Sequence, residues 1–226
     1  MKKTLILSIA LFFLSCEIEY DGETKLVVKG KVLLENNLPL SNHEVKLFVT
    51  RESSSIPFIF YVPSETNFVG KATTKENGDY TMVIPKPKSN YSEIIIEINS
   101  NSPYNNRQIR NIDSDDFENF ELNIETEKLY QRENLANLYV DLNQVNANFE
   151  FLKINYIGDY TNEIKYFKPL SDQYIDYFDN LSKLVKKNQE LVIQWEVRNS
   201  NTNVVSTFEE LLIINEQESI LFTINY

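Results

Sequence analysis

The sequence predicts an all-β protein, a β-sandwich followed by a second β-rich unit. Three observations carry that expectation. From Lys25 onward apolar and polar residues alternate with period two through most of the chain, the spacing at which a strand buries one face and solvates the other. Turn clusters such as Asn36-Asn37-Leu38-Pro39 and Asn77-Gly78 break the alternation at short intervals. The chain has 226 residues with 14 Phe and 13 Tyr, enough apolar mass for two cores and too much for a disordered chain.

Taken in order, Leu26, Val28, Val32 and Leu34 share one face of a first strand, with Gly30 among them and Lys29 and Lys31 opposite. Val45, Leu47 and Val49 repeat the pattern in a second. Residues 50–67, containing Ile56-Pro57-Phe58-Ile59-Phe60-Tyr61, read as an edge hairpin or a protruding loop. Asn77-Gly78 between two alternating stretches predicts a two-residue hairpin turn of type I′, which needs positive φ at both central positions. Ile94, Ile96 and Ile98 then mark a strand over 91–99, and Phe120, Leu122 and Ile124 one over 119–125.

A boundary is expected near 126–134, where the alternation lapses. Beyond it, 138–142 and 149–154 read as strands, as do 208–214 and 220–226. Tyr174, Phe178, Leu181 and Val185 recur at helical spacing behind Ser171-Asp172, which predicts one short helix. Leu191, Ile193, Trp195 and Val197 share a strand face, and a tryptophan in a central strand suits an immunoglobulin-like sandwich. Cys16 is the sole cysteine, so an internal disulfide is excluded and packing alone holds the fold. No internal repeat of 20–50 residues is visible. The expected organisation is a signal segment 1–15, a tether 16–24, a first sandwich 25–127 and a second 128–226.

The N-terminus supplies an address. Lys2 and Lys3, the apolar run from Leu5 to Leu14 and the small Ser15 describe a secretory signal, since a spanning helix needs about 20 apolar residues. Phe13-Leu14-Ser15-Cys16 resembles a bacterial lipoprotein signal, which implies lipid on Cys16 and a partner in the outer-membrane lipid, at the periplasmic face or the cell surface. Glu17, Glu19, Asp21 and Glu23 resemble the acidic surface-export tag of some such lipoproteins.

The strand residues carry a second resemblance. Val28-Lys29-Gly30-Lys31-Val32, then Leu38-Pro39-Leu40 ahead of Val45-Lys46-Leu47, then Thr74-Lys75-Glu76-Asn77-Gly78-Asp79-Tyr80 leading to Pro85, look like the carboxypeptidase regulatory-like domain. That likeness implies a transthyretin-like (prealbumin-like) β-sandwich of about seven strands with a non-catalytic accessory role, and it covers at most half of the mature chain. The same module precedes some TonB-dependent receptors.

Composition excludes several chemistries. A net charge of −11 argues against nucleic acid and anionic lipid surfaces as electrostatic partners. Five glycines without a phosphate-cradle spacing exclude the common nucleotide loops. His43 is the single histidine, so a two-histidine zinc site cannot be built, and its place at the start of a predicted strand beside a turn, with no Gly-x-Ser-x-Gly elbow in the chain, argues against a Ser-His-Asp triad; it reads as an exposed turn residue. Asp113, Asp115 and Asp116 form an acidic loop that could ligate calcium, against a solvated loop as the plainer reading. Phe58, Phe60, Tyr61 and Phe68, or Tyr156, Tyr160, Tyr166 and Phe167, could present rings to a sugar or protein, or simply pack. A Lys–Asn isopeptide at Lys29 or Lys31 is conceivable, although nothing selects it. No catalytic residue, cofactor or metal ligand is assigned. The expectation is a non-catalytic, lipid-anchored envelope protein that binds a protein or glycan. An accessory subunit of an outer-membrane uptake or secretion complex and a carboxylate-based glycan hydrolase are the alternatives.

Overall fold

The computed structural model describes residues 18–51, 54–56, 60–62, 64–88, 92–98, 103–168 and 181–226. Cys16 with the signal segment, Phe58, Tyr174 and Phe178 lie outside the described residues. The chain is all-β and divides into two compact units: residues up to 33 with 39–98 and 109–127, and residues 34–38 with 99–108 and 128–226.

In the first unit the strands are β1 (Tyr20–Leu34), β2 (Glu44–Arg51), β3 (Ser54–Ile56), β4 (Phe60–Val62), β5 (Glu65–Thr73), β6 (Asp79–Pro87), β7 (Ser92–Ile98), β8 (Arg107–Ile112) and β9 (Glu121–Asn123). β1 pairs with β6 antiparallel and with β9 in parallel. The facing sheet contains β8-β7-β2-β5 in that order and continues beyond β8 with a short strand at Ile164–Tyr166. The alternation read from the sequence is the core: Leu26, Val28 and Val32 on β1, Val45, Leu47 and Val49 on β2, Tyr80, Met82 and Ile84 on β6, and Ile94, Ile96 and Ile98 on β7 are all buried. Each such aliphatic side chain contributes about 1.5–3 kcal/mol by leaving water. Between β2 and β5, β3 pairs antiparallel with β4.

Three expectations change here. β1 begins at Tyr20, inside the expected tether, and Tyr20 and Asp21 pair with Pro87 and Lys86. The acidic run is therefore a bulge: Asp21 Oδ1 accepts from the backbone N–H groups of Glu23 (2.8 Å) and Thr24 (3.2 Å) and turns the strand on itself. Asn77-Gly78 does not make a type I′ hairpin. Gly78 N–H donates to the Lys75 carbonyl and Lys75 N–H to the Asp79 carbonyl, with positive φ (83°) at Gly78 but not at Asn77. It is a three-residue loop that carries the chain from β5, paired with β2, to β6, paired with β1. Phe120, expected on the face of Leu122 and Ile124, has φ 67° and is exposed, whereas those two are buried.

β10 (Glu127–Leu129) carries the chain across the unit boundary. The second unit holds β11 (Leu135–Asn143), β12 (Phe149–Ile157), β13 (Tyr160–Thr161), β14 (Ile164–Tyr166), β15 (Ser182–Lys186), β16 (Gln189–Asn199), β17 (Val205–Ile214) and β18 (Ser219–Asn225). One sheet runs β13-β15-β11-β18 and the other β12-β16-β17. Leu138, Val140, Phe151, Ile154, Val185, Leu191, Ile193, Phe222 and Ile224 fill the space between them, with Trp195 packed alongside. The predicted helix is absent where it can be checked, because Val185 sits on β15 with its side chain buried.

The second sandwich repeats the pairing of the first. A central strand, β1 or β11, has an antiparallel neighbour, β6 or β15, and a parallel neighbour that is the last strand of its unit, β9 or β18. In the other sheet β7 pairs with β2 as β16 pairs with β12, and the following strand, β8 or β17, lies on the far side. Six strands of each unit thus pair alike, a repeat far longer than 20–50 residues, while the extra strands differ: β5 adds to β2 and β13 to β15.

Candidate interaction surface

The outward faces of the larger sheets carry the functional candidates. On the second unit, Ile157 of β12, Val192 of β16 and Leu211 of β17 stand opposite one another in register, a row of three aliphatic side chains across the sheet. Ile157 is 50% and Leu211 52% exposed, and Ile213 extends the row along β17. The other end of this face is polar and paired: Lys153 meets Glu196 (3.0 Å), Arg198 meets Glu150 (3.2 Å) and Gln194 donates to Glu209 (3.0 Å). Strand alternation generates this division, since Leu191, Ile193 and Val197 face inward and their neighbours must face out.

The first unit has the same device with aromatic content. Phe48 of β2 is opposite Ile95 of β7 and Phe68 of β5. Phe48 and Phe68 meet edge to face at 5.6 Å, and Phe68 is exposed. Glu44, with Lys46 (3.5 Å) and Lys71 (2.7 Å), forms a charged border. An exposed apolar row bordered by paired charges is the arrangement of a contact surface, with a dry centre and a polar rim.

A different site, unsuspected from the sequence, lies on β15 of the second unit. Lys183 is only 5% exposed, with its ammonium 5.7 Å from the centre of the Tyr156 ring and 6.0 Å from that of Tyr160. With the Asn162 amide oriented so that its nitrogen donates to the Thr161 carbonyl (3.0 Å), its oxygen accepts from Lys183 Nζ at 2.9 Å. Burial pushes the Tyr156 phenol pKa upward, so the ring stays neutral beneath the cation. Asn137, Asn162, Glu163, Ser182 and Lys183 border a recess of about 370 Å³. A lysine in an alternating stretch reads as the solvent side, and only the register of β15 against β11 reveals that it points inward.

The residues singled out by sequence fall as follows. Asp113, Asp115 and Asp116 cap a single 3₁₀ turn: the Asp113 carboxylate accepts from Asp115 N–H (2.9 Å) and Asp116 from Asp113 N–H (2.8 Å). Among the described residues no group of three or more His, Cys, Asp or Glu is placed to hold a metal ion. His43 is half-buried rather than exposed. Its backbone N–H donates to Thr74 Oγ1 (2.9 Å), and burial lowers its side-chain pKa. Lys29 and Lys31 face outward and pair with Glu121 (2.6 Å) and Asp79 (3.6 Å), in contact with carboxylates rather than an asparagine amide. Of the aromatic candidates, Tyr156 is core, Phe68 and Tyr160 are exposed, and only the backbone of Phe60 and Tyr61 is described.

No family model and no curated protein matches this chain. Among solved structures it is similar to the shaft pilin spaA from Lactobacillus rhamnosus GG, at 11% identity and TM-score 0.32, over 88% of this chain and 98% of that one. The minor pilin GBS52 from Streptococcus agalactiae gives 9% identity and TM-score 0.28, over 88% and 94%. A 9R-lipoxygenase from Cyanothece gives 17% identity and TM-score 0.30, over 55% of this chain and 20% of that one, so the chain spans about a fifth of its length.

Proposed function

We propose that the chain is a non-catalytic, lipid-anchored protein of the cell envelope that binds a protein or glycan partner through the outward faces of its two sandwiches. The observation that carries the binding half is the in-register row Ile157, Val192 and Leu211 at one end of an outer sheet face whose other end is charge-paired. The anchor half rests on Lys2-Lys3, the apolar run and Ser15-Cys16. Several acyl chains on one cysteine would hold the protein stably, where one gives marginal binding. Within this reading the first unit is a carboxypeptidase regulatory-like module.

Two measurements test it. Cys16→Ala abolishes lipid labelling and releases the protein from membranes; a variant that stays membrane-bound overturns the anchor. A photoreactive residue at position 211 yields one discrete adduct in cells, whereas the same residue at position 196, in the charge-paired region, does not. Equal labelling at both positions, or none, removes the binding face.

A further inference from the structure

We propose that the outer edge of β17 is a strand-addition site for an extended segment of a partner protein, with two consecutive basic residues opposite Glu209 and Glu210 and apolar residues on either side. This deepens the reading of the second unit as a binding module and rests on it.

β17 is ten residues long, pairs with β16 without a register break, and among the described residues has no strand on its other side. Alternate N–H and C=O groups along such an edge point outward with no ladder partner, and proteins commonly blunt them with proline, lysine, bulges or short strands. Val205–Ile214 contains no Pro, Gly, Lys or Arg. Among the described residues nothing lies over it, since Val205, Phe208, Leu211 and Ile213 are exposed. The equivalent strand of the first unit, β8, is not open, because β14 follows it in the same sheet. β8 has six residues, bends at Asn111 (φ 59°), and buries Ile109 and Ile112, while Arg110 and the Asn111 N–H are held by Glu93. The same pairing position is thus followed by a further strand in the first unit and, among the described residues, is open at β17.

Charge decides the occupant. Glu209 lies on the outer face with Leu211 and Ile213, and Glu210 on the opposite face with Phe208, which stacks on Trp195 at 5.9 Å. An added strand must place one side chain against each carboxylate, and cross-strand pairs are favourable for opposite charge and unfavourable for like charge. Two copies of β17 related by a two-fold axis through the sheet would set a glutamate against itself or against Leu, Ile, Ser or Thr, in a chain of net charge −11. A basic pair within an apolar strand satisfies both faces.

The test uses the full chain and three labelled ten-residue peptides of Val, Ile and Thr: one with Lys-Arg at its centre, one with Glu-Glu there, and one with Lys-Arg and a central proline. The expected result is saturable binding of the uninterrupted Lys-Arg peptide alone, with amide-exchange protection gained across 205–214. In the double variant E209K/E210K that affinity falls by about tenfold or more and the Glu-Glu peptide binds instead. Both positions are exposed, and an unchanged melting curve confirms that the variant folds. No saturable binding, affinity indifferent to the charge reversal, or protection gained elsewhere overturns the proposal. If a protein adduct at position 211 persists in E209K/E210K, the edge chemistry fails while the binding module stands; if no adduct forms in either background, the module itself fails.

Discussion

Gly30 and Tyr80 stand directly opposite each other across the β1–β6 pair, and the Tyr80 ring occupies the place a Gly30 side chain would take: a Cβ there would lie 2.5 Å from Cζ and 2.7 Å from Cε1. The glycine is thus a socket for the ring, a close approach that a strand position otherwise has no reason to keep. Gly30→Ala forces the ring off its rotamer and is expected to cost about 1–3 kcal/mol in urea unfolding. Tyr80→Phe is expected to be neutral or mildly stabilising, because the buried hydroxyl has no hydrogen-bond partner among the described residues. A large loss in Tyr80→Phe would show that the hydroxyl is satisfied.

The same tyrosine sets an alkaline limit. Burial pushes its phenol pKa well above 10, so above pH 10 the unfolded chain releases a proton that the folded one retains. Its contribution is complete below pH 10 and declines as pH rises beyond it. Melting from pH 9 to 11 should fall more steeply in the parent than in Tyr80→Phe.

Gly78 and Asn77 should separate cleanly on substitution. Gly78 has φ 83°, and a Cβ would strike the Val32 carbonyl oxygen, so Gly78→Ala should lose about 1–3 kcal/mol. Asn77 has no positive φ to defend, so Asn77→Ala should lose only the bonds its side chain makes with Asp79, within about 1 kcal/mol. Comparable losses at both positions would restore the two-residue turn.

His43 gives acid sensitivity with a defined sign. Burial, opposed in part by Glu44, holds its pKa below 6.5 in the folded state, so the unfolded chain takes up the proton first. Stability is complete above about pH 6.5 and declines as pH falls through the interval beneath it. His43→Gln should flatten the melting profile between pH 7.5 and 5.5; an unchanged slope would place the sensitivity elsewhere.

Lys183→Ala should cost about 2–4 kcal/mol, since it opens a cavity beside Tyr156 and takes the ammonium from Asn162. Lys183→Met restores the volume and should recover part of that loss. Both should change the near-ultraviolet tyrosine signal. Equal stability of parent and Lys183→Ala would mean that the ammonium is not buried.

Where one face is buried, the strands were legible: Leu26, Val28 and Val32, or Ile94, Ile96 and Ile98, needed only alternation. The exposed apolar rows were not, because Phe48 or Val192 beside a buried neighbour gives a continuous apolar run whose two faces a pattern cannot rank. Leu181 and Val185 suggest a helix because a separation of four satisfies both periods, and here both pack on the same core, Val185 from β15 and Leu181 from just before it. Trp195 pointed to a sandwich, but the strand order of the second unit depends on the pairing of β11 with β18, some 80 residues away in sequence, which no local pattern encodes. Lys183 was hidden for the same reason: register, not composition, turns it inward.

The parallel pairs β1–β9 and β11–β18 also have a kinetic meaning. In each unit the opening strand waits for the closing one, so a sandwich cannot complete its central ladder until residues 121–123, or 219–225, are in hand. Closing such a distant loop is entropically costly before any contact rewards it, which makes for slow folding. During that interval β11 exposes a bare edge of its own.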